Sequence, residues 1–130
     1  MVDDLKDQVQ DYATQLAGSN SENAWHSLVE LGPAAALEVA AAFEGAKDIQ
    51  VKTELLEVLC HYRTKDLVPL FVRLLHDGHD DIWKTALDGL VTIGSNGVVR
   101  MLRDAERTLP PTRHAWIREA IEQIEEQSAP

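Results

Sequence analysis

Residues 66–94, DLVPLFVRLLHDGHDDIWKTALDGLVTIG, decide how this chain folds. They run as an apolar stretch, a polar turn containing Gly78, a second periodic stretch and a stop at Gly94. In the second stretch Ala86, Leu87, Leu90 and Ile93 stand at i, i+1, i+4 and i+7. That spacing gathers side chains on one face of a helix. Nothing in the segment alternates with the two-residue period of a half-buried strand. It predicts a helix, a tight turn and a second helix.

The same comb recurs along the chain. Leu55, Leu56, Leu59 and Tyr62 hold it upstream; further upstream stand Ala24, Trp25, Leu28 and Leu31, with Gly32 in the place of Gly94. Downstream it returns as Ala120, Ile121 and Ile124. The preceding helices share a register too: Leu67, Phe71 and Leu74 match Leu5, Val9 and Tyr12, and also Val98, Leu102 and Ala105, while Ala36, Ala40 and Phe43 fill the remaining copy. Four copies follow, at about 3–32, 33–63, 64–94 and 95–127. Helix stops, caps and breakers divide them: Gly18 to Ser21, Gly32-Pro33, Gly45 to Asp48, Arg63 to Asp66, Asp77 to Asp81, Gly94 to Gly97 and Pro110-Pro111-Thr112. In the turn 77–81, Asp80 or Asp81 is expected to cap the following helix.

This pattern resembles HEAT-like helical repeats of the HEAT and PBS-lyase type, in which an apolar helix, an acidic turn and an A-L-x-x-I-G second helix follow one another. The resemblance covers nearly the whole chain. It implies an all-α fold, an α-solenoid of about four antiparallel helix pairs in a single domain spanning 1–130, with the second helices lining a concave binding face. Stacked repeats bury a core only against their neighbours, so the outer ends must be polar. Asp3, Asp4, Asp7 and Asp11 at one end and Glu122, Glu125 and Glu126 at the other fit that requirement. Family members often carry an Arg early in the second helix; here that place is held by Ser21, Lys52, Trp83 and Ile117, so Lys52 alone keeps a basic group there.

Composition narrows the function. A formal net charge of −10 over 130 residues argues against unaided binding to a phosphate backbone, which draws its free energy from Lys and Arg displacing counterions. A basic protein partner is favoured instead. The charge is uneven: −9 over residues 1–83, +3 over 84–118 and −4 beyond. The single cysteine, Cys60, excludes an internal disulfide and suits a reducing compartment. The start MVDDLKDQVQ is not a secretory signal, and no stretch reaches the roughly 20 apolar residues of a membrane span. A cytoplasmic location is expected.

Projecting the second helices at their helical period separates buried from exposed rows. One exposed row is His26, Glu57, Asp88 and Glu122; beside it run Glu22, Thr53, Lys84 and Arg118, then Glu30, His61, Thr92 and Glu126. His26, Glu30, Glu57, His61, Lys84, Asp88, Arg118 and Glu122 are therefore the candidate partner-binding residues, a mixed but net acidic set. Lys84 with Asp88, and Arg118 with Glu122, also have the spacing of ordinary i, i+4 pairs. Core packing is favoured for all three tryptophans, Trp25 and Trp116 inside the comb and Trp83 at its edge between Leu87 and Leu90, where it is also the candidate aromatic contact.

Catalytic and cofactor signatures are missing. The His76 to Asp81 turn has neither the His spacing of a helical zinc site nor the length of a calcium loop. Cys60 and His61 are adjacent on a helix and point about 100° apart, so they do not form a nucleophile and base. No G-x-S-x-G, phosphate loop or H-E-x-x-H occurs. Neither a metal, a cofactor nor enzyme activity is expected. The expected function is a scaffold that binds a protein partner, with a toxin-immunity protein as a sharper version. A bilin-lyase-like accessory subunit is a further alternative. So is a phosphate or nucleic-acid binder, for which Arg100, Arg103 and Arg107, extended by Arg113, would supply the basic face.

Overall fold

The computed structural model describes residues 2–128, with side chains from Asp4 onward, so Asp3 lies outside the described side chains. Among these residues there are eight α-helices and no strand. In chain order they are α1 (Val2–Leu16), α2 (Ser21–Leu31), α3 (Ala36–Gly45), α4 (Ile49–Tyr62), α5 (Val68–Leu74), α6 (Asp80–Ile93), α7 (Asn96–Glu106) and α8 (Pro111–Ser128). Short 3-10 turns, Pro33–Ala35 and Lys65–Leu67, lead into α3 and α5. No helix is long and apolar enough to cross a membrane, among the described residues.

Each helix end has a local cause. Asp48 caps α4: its Oδ1 accepts from the backbone N–H of Gln50 at 2.8 Å and of Val51 at 3.2 Å, satisfying donors the first turn leaves free. Ser95 does the same for α7 through Val98 N–H at 3.2 Å. Pro111 opens α8 at the position where a missing N–H costs nothing. Gly94 ends α6 with φ 50°, its N–H donating to Leu90 O at 2.9 Å. A Cβ built there would lie 2.9 Å from Val91 O, so glycine is required by both dihedral and space.

The turn before α6 differs from expectation. His79, rather than Asp80 or Asp81, is the N-cap residue. Asp77 Oδ1 accepts from His79 N–H at 2.9 Å, which tightens the turn and brings the chain into the helix early. Asp80 and Asp81 fall in the first turn, where carboxylates favour the helix dipole. Asp80 Oδ1 also accepts from Trp83 Nε1–H at 3.0 Å. Lys52 works locally as well: its Nζ donates to Phe43 O at 2.9 Å near the end of α3 and stands 4.4 Å from the Phe43 ring centre. A cation satisfying a terminal carbonyl is well placed against the negative end of that helix.

Helix contacts divide the chain into two compact units, Met1–Arg63 and Thr64–Pro130. In the first, α1 packs on α2 and α3 on α4, while α2 also meets α4 and α1 meets α3. In the second, α5 packs on α6 and α7 on α8, while α6 meets α8 and α5 meets α7. Each unit is two helix pairs, with first helices side by side and second helices side by side.

The apolar combs form the cores. Leu28, Phe43, Leu55, Leu56 and Leu59 are buried in the first unit, and Phe71, Ile82, Leu90, Leu102, Ile117 and Ile124 in the second. Tyr62 ends its comb with a polar tip, and its hydroxyl donates to Leu28 O at 2.6 Å. Leu28 O is near the C-terminus of α2, where Gly32 N–H bonds Val29 O instead. The phenol therefore satisfies a carbonyl that the helix leaves over. No other polar side chain is buried among the described residues.

Candidate functional site

On the first unit, the packing of α2 against α4 assembles one face from both helices. His26, Glu30, Glu57 and His61 are all exposed there, as their helical phases require. Between them stands Trp25, half-buried rather than in the core, with His26 and His61 set edge-on to it at centroid distances of 5.1 and 5.0 Å. A cleft of about 370 Å³ beside the ring is lined by Ser21, Glu22, Trp25, Glu54 and Glu57.

The electrostatics of this cleft are one-sided. Partial burial pushes the Glu57 carboxyl above its ordinary value, Glu54 adds to the rise by repulsion, and His61 opposes it. Glu54 Oε2 is buried and has no hydrogen-bond partner among the described residues. A carboxylate oxygen in that position loses its hydration without a compensating hydrogen bond, and a cation held in the adjoining cleft would offset that cost through its charge. Glu54 was not among the expected contact residues. Its place three residues before Glu57 puts both carboxylates on one helix face, which was the signal available in the sequence.

On the second unit, α6 and α8 supply Lys84, Asp88, Arg118 and Glu122. Asp88, Arg118 and Glu122 are exposed and Lys84 is half-buried. The expected i, i+4 partners are not the ones used. Arg118 turns to Glu106 at the end of α7, with Nε and a terminal guanidinium nitrogen each 2.9 Å from Oε1. Lys84 Nζ stands 4.6 Å from the centre of the Trp116 ring and 5.6 Å from Trp83. Partial desolvation raises the Asp88 carboxyl above its ordinary value.

Trp83 packs in the core as expected, whereas Trp116, expected there too, does not. Trp83 is only 4% exposed, whereas Trp116 is 45% exposed. Trp116 meets the Trp83 ring edge-on at 5.6 Å, and the Arg113 guanidinium lies 4.7 Å from its centre, so neighbouring side chains bury Trp83. Arg113 also donates to Leu75 O at 2.6 Å, beyond the end of α5. It therefore belongs to this aromatic stack and does not extend the Arg100, Arg103 and Arg107 face. Trp116, not Trp83, is the aromatic open to a partner.

Several other polar groups pair locally. Arg103 pairs with Glu125 at 3.3 Å and Arg107 lies 3.9 Å from Asp104. His79 Nδ1 is 3.2 Å from Asp77 Oδ1. No group of three or more His, Cys, Asp or Glu side chains is arranged to hold a metal ion, among the described residues. No family model, no curated protein and no solved structure matches this chain.

Proposed function

We propose that this chain is a non-catalytic, HEAT-like protein-binding module whose second-helix face, on α2 and α4, takes a basic segment of a protein partner. The observation that carries the reading is the Trp25 cleft, where Glu22, Glu54 and Glu57 crowd an accessible indole and one carboxylate oxygen lacks a donor. A guanidinium or ammonium entering there would meet the ring face and donate to the carboxylates. Such contacts contribute roughly 0.5–2 kcal/mol from the aromatic alone, more as water is excluded. The net charge of −10 would steer a basic partner toward the protein. Four consecutive helix pairs at the repeat boundaries support the HEAT-like reading.

The test begins with a native pull-down and mass spectrometry. Association of the recovered partner is then followed by stopped flow at two ionic strengths. Glu57→Lys and Glu22→Lys should each slow association, with the deficit shrinking as salt rises. Rates equal to wild type at both ionic strengths would remove this face as the binding site.

A further inference from the structure

A second surface, on the first helices of the second unit, has different chemistry. In α5, Pro69, Val72 and Arg73, with His76 just beyond the helix, recur at i, i+3, i+4 and i+7. In α7, Met101, Asp104 and Ala105, with Thr108 beyond the helix, repeat the same spacing. The helices pack together, so these two stripes wall a hollow of about 570 Å³. Ala105 is buried at its base, Met101 is 44% exposed, and His76 Nε2 meets Thr108 Oγ1 at 2.9 Å across one end.

The rim is basic although the protein is acidic. Arg73 and Arg107 border the hollow, and an adjoining one of about 380 Å³, which shares Met101, is lined by Arg100, Arg103 and Arg107. The one acid in both linings is Asp104, 3.9 Å from Arg107. We propose that the hollow between α5 and α7 is a docking groove for an acidic amphipathic helix of a partner protein.

Charge and shape together select that occupant. A channel between two side-by-side helices accepts the ridge of a third helix. An exposed methionine is a polarizable, adaptable floor for Leu or Phe anchors. A neutral apolar segment would gain nothing from the positive rim, and a bare anion would leave Met101 uncovered. Acidic residues flanking apolar anchors engage both. This groove is independent of the α2 and α4 face proposed above.

The experiment is selection of a displayed library of random 16-residue peptides on the full chain, followed by fluorescence anisotropy with the strongest acidic binder. The selection should enrich net acidic peptides with apolar residues at i, i+3 or i+4, and i+7, beside any basic peptides taken by the α2 and α4 face. Met101→Glu should weaken binding at least about tenfold and Arg107→Glu about fivefold, the latter gap narrowing in high salt. Asp104→Asn, removing the acid that both linings share, should tighten binding about twofold. Glu57→Lys should change nothing here, which separates this groove from the α2 and α4 face. Circular dichroism checks that each variant folds; the Arg107 side chain is 83% exposed, so its reversal leaves the core intact. Two results would overturn the proposal: no enrichment of acidic amphipathic peptides, or folded Met101→Glu and Arg107→Glu proteins that both bind such a peptide as wild type does. Sedimentation showing a dimer that Met101→Glu dissolves would assign the groove to a second copy and also overturn it.

Discussion

Replacing Tyr62 by Phe tests the packing of α4 on α2 through a single oxygen atom. The hydroxyl donates to Leu28 O at 2.6 Å in a residue that is 5% exposed. Removing it leaves a buried carbonyl without its donor, which costs about 1–3 kcal/mol at neutral pH. Burial pushes the phenol up from 10.0 to about 12. The folded state thus holds this proton more tightly than the unfolded chain does. The stability it contributes is complete below pH 10 and is lost as pH rises through about 12. At pH 11, midway, the loss amounts to about 1.4 kcal/mol, a tenfold change in the folding equilibrium. Tyr62→Phe cannot lose what it lacks, so the gap between the two proteins should narrow by that amount between about pH 9 and pH 11. Urea unfolding followed by helical circular dichroism at several pH values measures it. A gap at neutral pH below about 0.5 kcal/mol, or one that stays constant to pH 11, would refute the assignment of this hydroxyl as a buried donor.

Three further outcomes follow from the same packing. Leu90→Ala should destabilise by about 2–5 kcal/mol in chemical unfolding, since Leu90 is 0% exposed at the centre of the α6 comb. Gly94→Ala should cost about 1–3 kcal/mol by thermal melting, because the left-handed φ of 50° is unfavourable for alanine and its Cβ would press on Val91 O at 2.9 Å. Glu57→Gln should be more stable than wild type near neutral pH. The Glu57 carboxyl is raised by burial and by Glu54, so its charged form disfavours folding. Wild-type stability should accordingly recover as pH falls through that raised value, and the advantage of the glutamine should vanish on full acidification; a pH-independent difference would show that Glu57 ionisation is not strained.

The helical nature of the chain was legible in the sequence because it rests on local periodicity and local breakers. Ala86, Leu87 and Leu90 can share a buried face only on a helix, and Gly94 can stop one wherever it occurs. The exposed positions of Glu57, Asp88 and Glu122 followed from phase alone. The sequence did not determine what stands opposite each face. Helical phase places Trp83 and Trp116 on their own helices, but a tryptophan is buried only by what other elements lay over it. Arg113 and Trp116, both from α8, cover Trp83 and leave Trp116 open. Arg118 likewise had Glu122 within reach on its own helix, yet its guanidinium meets Glu106 on α7. Glu54 and Trp25 lie on different helices, so the cleft they share exists only once α2 and α4 pack. Local sequence sets the direction of a side chain from its own backbone; its neighbours, its solvation and hence its chemistry depend on residues far along the chain that only tertiary packing brings near.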